Sequence, residues 1–173
     1  MTKMSLFRIY KELLGEVFDL KNIKTFPTAY SNGEYTFETD LGDSIDVKFE
    51  DILTDLDDFD FQDFIRKNTK SAINISFSVN NKIDQAKKLE LKDMYPIAAT
   101  VKLCIDKYIQ RIHPDLITII STHRLLGIGT DSTKSRIFEM IYRKYPPSGY
   151  GVTDCKYIPA NMTGFCLYKR SIK

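Results

Sequence analysis

Acidic side chains dominate the stretch Glu50–Asp63, where they are interleaved with large apolar ones. Carboxylates in such a run can bind a divalent metal or a basic partner. The EF-hand calcium loop needs an Asp-x-Asp-x-Asp-Gly run, and this stretch contains none. The apolar residues between the carboxylates favour a solvated loop anchored to the core. If the stretch binds a protein partner, the candidate contact residues are Asp55, Asp57, Asp58 and Asp60.

The loop Ser121–Arg136 is a second candidate, because it lies between a predicted strand and a predicted helix. A phosphate-binding P-loop requires glycine immediately before the Lys-Ser/Thr pair. Thr133 occupies that position before Lys134-Ser135, so the loop predicts turns and a helix cap instead of a nucleotide site. His123 and Arg124 in this loop are candidates for contact with a partner protein.

The amino-acid composition limits which classes of function remain. The chain has 173 residues, 43% hydrophobic and 28% charged, which predicts one globular domain over residues 1–173. A formal net charge of +2 produces no strong positive electrostatic field around the protein, so the charge does not point to a nucleic-acid partner. No apolar run reaches transmembrane length, and the N-terminus lacks the apolar core of a signal peptide. We therefore expect a protein that does not bind membranes.

Cysteine and histidine spacing predicts no metal site. Cys104, Cys155 and Cys166 are widely separated and odd in number, which is typical of reduced thiols in a cytosolic-type protein. The two histidines of the chain, His113 and His123, are isolated. No Ser/His/Asp or Cys/His arrangement has a spacing that indicates nucleophilic catalysis.

The centre of the chain predicts a strand–helix–strand–helix unit. Ser71–Val79 alternates apolar and polar residues, and Leu116–Ser121 is a short β-branched apolar run. Tyr95–Ile112 between them has one apolar helical face, with Pro96 suited to the first helical position. Ser132–Tyr145 is a second amphipathic helix. The two strands are expected to be parallel, joined by a right-handed crossover.

The flanking segments complete an α+β fold. An N-terminal helix is predicted at Met4–Phe18, and the Asn32-Gly33 turn indicates a hairpin. Further strands are predicted at Phe26–Tyr30, Glu34–Thr39, Ser44–Phe49, Val152–Ile158 and Gly164–Arg170. We expect a mixed, mostly antiparallel sheet of about six or seven strands, flanked by helices. The residues predicted to form its core are Ile75, Phe77, Val101, Ile105, Ile117, Ile119 and Phe138.

Several short motifs resemble the GNAT superfamily of acyl-CoA-dependent N-acyltransferases. They are the runs YTFETDLG at 35–42, IDVKF at 45–49, ISFSV at 75–79, AATV at 98–101, Pro114-Asp115 and Ser135-Arg136. The resemblance is closest to small GNAT-like proteins of tailed bacteriophages, and it covers roughly residues 26 to 170. It implies a GNAT-like α+β sheet.

The resemblance also implies where coenzyme A would bind. In the enzymes the central strand holds the pantetheine, and a glycine-containing loop at the next helix binds the pyrophosphate. The corresponding segment here has no glycine, and Asp93 and Pro96 stand at the predicted helix start. A carboxylate there repels phosphate, and proline removes an amide donor. If acetyl-CoA binds, the expected contact residues are Val79, Lys87, Lys88 and Lys92.

A second motif of the family concerns the catalytic acid. Ser135-x-x-Phe138-x-x-Ile141-Tyr142 matches the spacing of Asn-x-x-Ala-x-x-Leu-Tyr on the last helix of many GNAT enzymes. The resemblance makes Tyr142 the candidate general acid for the thiolate leaving group. Glu38 and Glu50 are the candidate bases. In the alternative interpretation Tyr142 only packs, with its hydroxyl at the surface.

Two functions follow as expectations. The first is a non-catalytic GNAT-fold bacteriophage protein without a cofactor, acting as a virion component or protein-binding module. Its protein partners would include other virion proteins, and it would reside in the host cytoplasm or the phage particle. The second is an acetyl-CoA-dependent N-acetyltransferase that uses Tyr142 as its acid. The missing phosphate-loop glycines favour the first.

Overall fold

The computed structural model describes residues 23–79, 91–120 and 132–171, of which residues 79, 91–94 and 132–137 are described by their backbone alone. The helix predicted at Met4–Phe18 lies outside these ranges. The strands are β1 Ala29–Ser31, β2 Glu34–Glu38, β3 Ser44–Asp51, β4 Phe59–Asp60, β5 Ala72–Val79, β6 Leu116–Ile120, β7 Tyr150–Tyr157 and β8 Met162–Lys169. The helices are a 3-10 helix at Leu53–Asp58, α1 Asp63–Asn68, α2 Leu91–Ile112 and α3 Ser132–Lys144.

The described strands form one mixed sheet in the order β1-β2-β3-β5-β6-β8-β7-β4. Only β5 and β6 are parallel to each other, as predicted, and α2 is their crossover. All other neighbouring pairs are antiparallel. The sheet has eight strands, so the predicted six or seven was too few. The additional strand is β4, which comes from the acidic stretch.

Helix α2 begins one turn earlier than the sequence predicted. It starts at Leu91, and Pro96 lies inside it, not at its first position. Proline in a helix interior lacks the N–H that would bond to the preceding turn. The Thr100 hydroxyl donates to the Pro96 carbonyl at 2.6 Å and accepts from the backbone N–H of Phe26 at 3.0 Å. Thr100 thereby ties the segment before β1 to α2.

One face of the sheet packs against α2 and α3. Six of the seven predicted core residues are buried there: Ile75, Val101, Ile105, Ile117, Ile119 and Phe138. The seventh, Phe77, is only partly buried. It lies beyond the last β5–β6 pair, and its ring packs against Phe138 at a centroid distance of 5.3 Å.

The opposite face is covered by the segment between β3 and β5. This segment crosses the sheet, adds β4 to the outer edge of β7, and returns through α1. Four of the six apolar residues predicted to anchor this segment, Ile52, Leu56, Phe59 and Phe61, are buried in a second core cluster together with Ile65. The other two, Leu53 and Phe64, are exposed. The prediction of a plain loop was wrong. Apolar burial holds short helical and strand elements in a region where the aspartates alone favour turns.

Candidate functional site

Strand β5 extends beyond its parallel neighbour β6. The two strands pair from Ala72 opposite Leu116 to Ile75 opposite Ile119, and β6 ends one residue later at Ile120. β5 continues for four residues to Val79, still paired with β3 on its other side. Among the described residues, no strand pairs with Ser76–Val79 on the β6 side, and this side is here called the open edge of β5.

β6 pairs with β8 up to its last residue, so the open strand edge belongs to β5 and not to β8. Ile120 at the end of β6 is opposite Gly164 of β8. A Cβ atom at Gly164 would lie 2.3 Å from the carbonyl oxygen of Ile119, so only glycine permits this approach. Within the described part of the chain, the open edge of β5 is the type of strand edge that binds an extended ligand by added backbone hydrogen bonds.

The residues predicted to bind a cofactor are only partly located. Val79 ends β5, at the open edge of that strand, and Lys92 and Asp93 lie in the first turn of α2. Lys87 and Lys88 lie outside the described residues. Because α2 begins at Leu91, Pro96 falls after the first turn, and the prediction that it removes a free terminal amide was wrong. The expectation that the Asp93 carboxylate repels phosphate stays a prediction, because the structure describes this residue by its backbone alone.

Tyr142, the candidate acid, is fully buried between α3 and the sheet. Its ring packs against Phe165 at 6.0 Å, and the Lys102 ammonium lies 5.2 Å from the ring centre. Burial raises the pKa of Tyr142 well above its usual value, and the neighbouring Asp106 carboxylate raises it further. Proton donation to a thiolate is therefore strongly uphill. The alternative with a surface hydroxyl is also wrong, because the hydroxyl oxygen is buried.

The polar group beside Tyr142 is an ion pair within α2. The Lys102 ammonium donates to the Asp106 carboxylate one turn away. Burial raises the pKa of Asp106, and the bond from Lys102 opposes that effect. The Asp106 carboxylate acts on the Tyr142 hydroxyl through its charge and through a side-chain hydrogen bond. The geometry of that bond falls outside strict limits. Sequence reasoning missed this cluster, although the spacing of Lys102 and Asp106 places both on one helical face.

The candidate bases are not assembled with Tyr142. Glu38 is exposed at the end of β2, and Glu50 is exposed opposite Asn74, near the other end of β5 from its open edge. The neighbours that act on the Tyr142 hydroxyl are Asp106 and Cys104. The structure therefore brings neither of the two predicted bases to Tyr142.

The candidate partner-binding carboxylates are accessible. Asp55, Asp57, Asp58 and Asp60 are all exposed. The carboxylate of Asp57 lies 3.7 Å from Arg66, and its side chain is 92% exposed, so this pair is weak. The other predicted partner-binding residues, His123 and Arg124, lie outside the described residues.

The described part of the chain gives little support for a metal site, a membrane-spanning helix or a reactive cysteine. No group of three or more potential ligands is placed there to hold a metal ion. None of the helices in residues 23–79, 91–120 and 132–171 is long and apolar enough to span a membrane. Cys104, Cys155 and Cys166 are buried free thiols, and burial raises the pKa of Cys104 to about 11. Thiols of this kind are poor nucleophiles at neutral pH.

The described residues define an α+β protein with a mixed eight-stranded sheet, flanking helices and a central strand, β5, that extends past its parallel neighbour. Compared with known proteins, the chain matches no family model, no curated protein and no solved structure.

Proposed function

We propose that this chain is a GNAT-fold bacteriophage protein that catalyses no reaction and acts through its surface. It serves as a component of the virion or as a protein-binding module. The observation that carries this proposal is the burial of Tyr142, with 0% of the side chain exposed. The side chain that an acetyltransferase mechanism would use as its acid is enclosed in the core.

The order of elements supports the GNAT part of the proposal. An antiparallel meander leads to a central strand, a crossover helix, a parallel strand, a helix and a closing hairpin. This is the order that the sequence resemblance implies. Fold does not fix function, so the case against catalysis rests on the site.

The exposed charges support a binding role. The acidic segment is anchored by buried apolar residues, and its carboxylates face outward without buried partners of their own. A rigid, charged surface of this kind suits electrostatic docking of a protein partner more than chemistry on a small molecule.

An acetyl-CoA-dependent N-acetyltransferase is the second candidate, and one observation favours it. β5 runs past the end of β6 after Ile75, so among the described residues no strand lies beside Ser76–Val79 on that side. The resemblance implies that the central strand of the enzymes holds pantetheine at such a place. Coenzyme A would then lie beside Val79, with its pyrophosphate near the start of α2.

Calorimetry with acetyl-CoA separates the two candidates. We expect no saturable binding tighter than about 1 mM, which corresponds to about −4 kcal/mol. ADP is the matched control, because non-specific attraction of phosphates to lysine side chains would give the same heat with both compounds. Micromolar, saturable binding of acetyl-CoA that ADP does not reproduce would make the enzyme the leading candidate.

Tyr142→Phe provides a second test. Because the Tyr142 hydroxyl is buried without a well-formed hydrogen bond, its removal should change the free energy of unfolding by less than about 1 kcal/mol. If the protein acetylates an amine and Tyr142 is the acid, turnover should fall by roughly 10²-fold in this stable variant. The non-catalytic proposal requires that wild-type protein and variant show equally little turnover.

A further inference from the structure

The two edges of the sheet carry opposite charge. At one edge, β1 and the end of α2 present a surface formed by Tyr30, Lys107, Arg111 and Ile112, here called the β1 patch. Tyr30 and Ile112 are 44% and 49% exposed, which is unusual for large hydrophobic side chains in this fold. Exposed tyrosine and arginine side chains are enriched at protein–protein contacts.

Arg111 is held in place without being neutralised. Its guanidinium carbon lies 4.0 Å from the centre of the Tyr30 ring, and Tyr30 packs on Tyr35 at 4.7 Å. Within the described residues no carboxylate lies within ion-pair distance of Arg111. The nearby Asp51 carboxylate accepts from the Leu53 amide at 2.8 Å. Stacked guanidinium groups retain N–H donors that suit a carboxylate.

At the other edge, β4 and the 3-10 helix before it present Asp55, Asp57, Asp58 and Asp60, here called the β4 patch. All four side chains are exposed. Of these, Asp57 has the one ion pair found among the described residues, the weak contact with Arg66. Lys156 is the strand partner of Asp60 but makes no ion pair with it in the described part of the chain.

The two patches cannot neutralise each other within one molecule. They lie at opposite edges of an eight-stranded sheet. At about 4.8 Å per strand spacing, the edges are about 34 Å apart. At physiological ionic strength charges are screened over about 8 Å. A direct contact between the two patches therefore requires two molecules.

We infer that the β1 patch of one copy binds the β4 patch of a second copy of this chain. The contact joins two different surfaces, so it is head-to-tail and produces a ring or a filament instead of a two-fold dimer. Both edge strands are short, with three residues in β1 and two in β4, so side-chain charge and apolar contact hold the copies together, not strand pairing. This inference rests on the proposed function, because it names the partner of the non-catalytic surface.

Two charge-swapped variants test the inference by sedimentation velocity. Asp55→Lys with Asp58→Lys and Asp60→Lys changes the summed formal charge of the four β4-patch side chains from −4 to +2, so both patches are basic. Lys107→Glu with Arg111→Glu makes both patches acidic. Wild-type protein should show a sedimentation coefficient that rises with concentration at low salt and falls back at about 1 M salt, where screening acts over about 3 Å. Each variant alone should remain a monomer. An equimolar mixture should associate again, because the swapped edges are complementary.

Lys144→Glu with Arg170→Glu is the matched control. It makes the same change in formal charge as Lys107→Glu with Arg111→Glu, but away from both patches, and should associate like wild type. A wild-type protein that stays monomeric over the whole concentration range would overturn the inference. So would variants that associate on their own, or a mixture that does not associate while circular dichroism shows both variants folded. The acetyl-CoA titration is independent: a monomer that binds no acetyl-CoA contradicts self-association only.

Discussion

Asp115 offers the sharpest test of what holds the sheet together. Its carboxylate accepts from the Lys70 amide at 2.9 Å and from the Lys169 ammonium at 3.0 Å. Its own amide donates to the Ser71 hydroxyl at 2.9 Å. One side chain therefore joins the entrances of β5 and β6 to the end of β8.

Asp115→Ala should lower the free energy of unfolding by about 2–3 kcal/mol. A hydrogen bond to a charged group contributes about 1.5–3 kcal/mol. The pair with Lys169 adds less, because the two side chains are 19% and 29% exposed and solvent screens part of the attraction. For a chain of this length the loss corresponds to a fall in Tm of roughly 5–10 °C. Thermal unfolding followed by circular dichroism measures it.

The same residue predicts a pH dependence. Burial raises the pKa of Asp115, but the bonds from Lys169 and Lys70 outweigh burial, and the pKa lies below its usual value. The stabilisation is then complete above the unfolded pKa of about 3.9 and is lost as the pH falls through the lower folded pKa. The difference in unfolding free energy between wild type and Asp115→Asn should be constant from about pH 5 to 8 and shrink below about pH 4.

Asp154→Ala is the control, because its ion pair with Arg143 involves an 80% exposed carboxylate and should contribute less than about 1 kcal/mol. A double-mutant cycle of Asp115→Ala with Lys169→Met isolates the pair. Melting curves of Asp115→Ala and wild type that overlay would refute the reasoning. A difference between wild type and Asp115→Asn that persists unchanged at pH 3 would refute the electrostatic part.

Two further predictions concern the core and a helix end. Ile119→Ala should lower the free energy of unfolding by about 2–5 kcal/mol in chemical denaturation, because the side chain is 2% exposed. Ile112→Ala, at a 49% exposed position, should lower it by under about 1 kcal/mol. Similar losses for both variants would mean that the register of β6 is wrong. His113 has φ +54° and its amide bonds to the Ile109 carbonyl at 2.9 Å, as in a left-handed helix cap. His113→Gly should therefore stabilise the protein by about 0.5–1 kcal/mol in the same assay, and a destabilised variant would contradict that backbone argument.

The central strands and helices could be predicted because their apolar periodicity is strong. β5 and β6 consist of β-branched runs flanked by turn signals, and their parallel pairing follows from the length of the helix between them. The start of α2 was misplaced because Pro96 has the sequence appearance of a first helical residue. The Thr100 hydroxyl bonds both to the Pro96 carbonyl and to the Phe26 amide, and no local sequence pattern reveals the contact with Phe26.

Tyr142 shows the limit of spacing arguments at the site. The family motif identified it as an acid, yet it follows Phe138 by four residues, which places both on one buried helical face. That signal was present in the sequence. Its neighbour Asp106 is distant in sequence, so their proximity depends on how α3 docks against α2, and this is a tertiary contact that periodicity cannot provide.

The position of β4 sets the order in which the molecule can fold. β3 and β5 are neighbours, yet the chain between them pairs at the far edge with β7, which is about a hundred residues further along. Such distant pairings are entropically expensive and form late. The second core cluster is complete only once Cys155 and Cys166 are present, so its apolar anchors lack part of their cover until β8 lies between β6 and β7. Deleting β8 would remove an interior strand, and would leave the nascent chain with an apolar surface that it cannot cover itself.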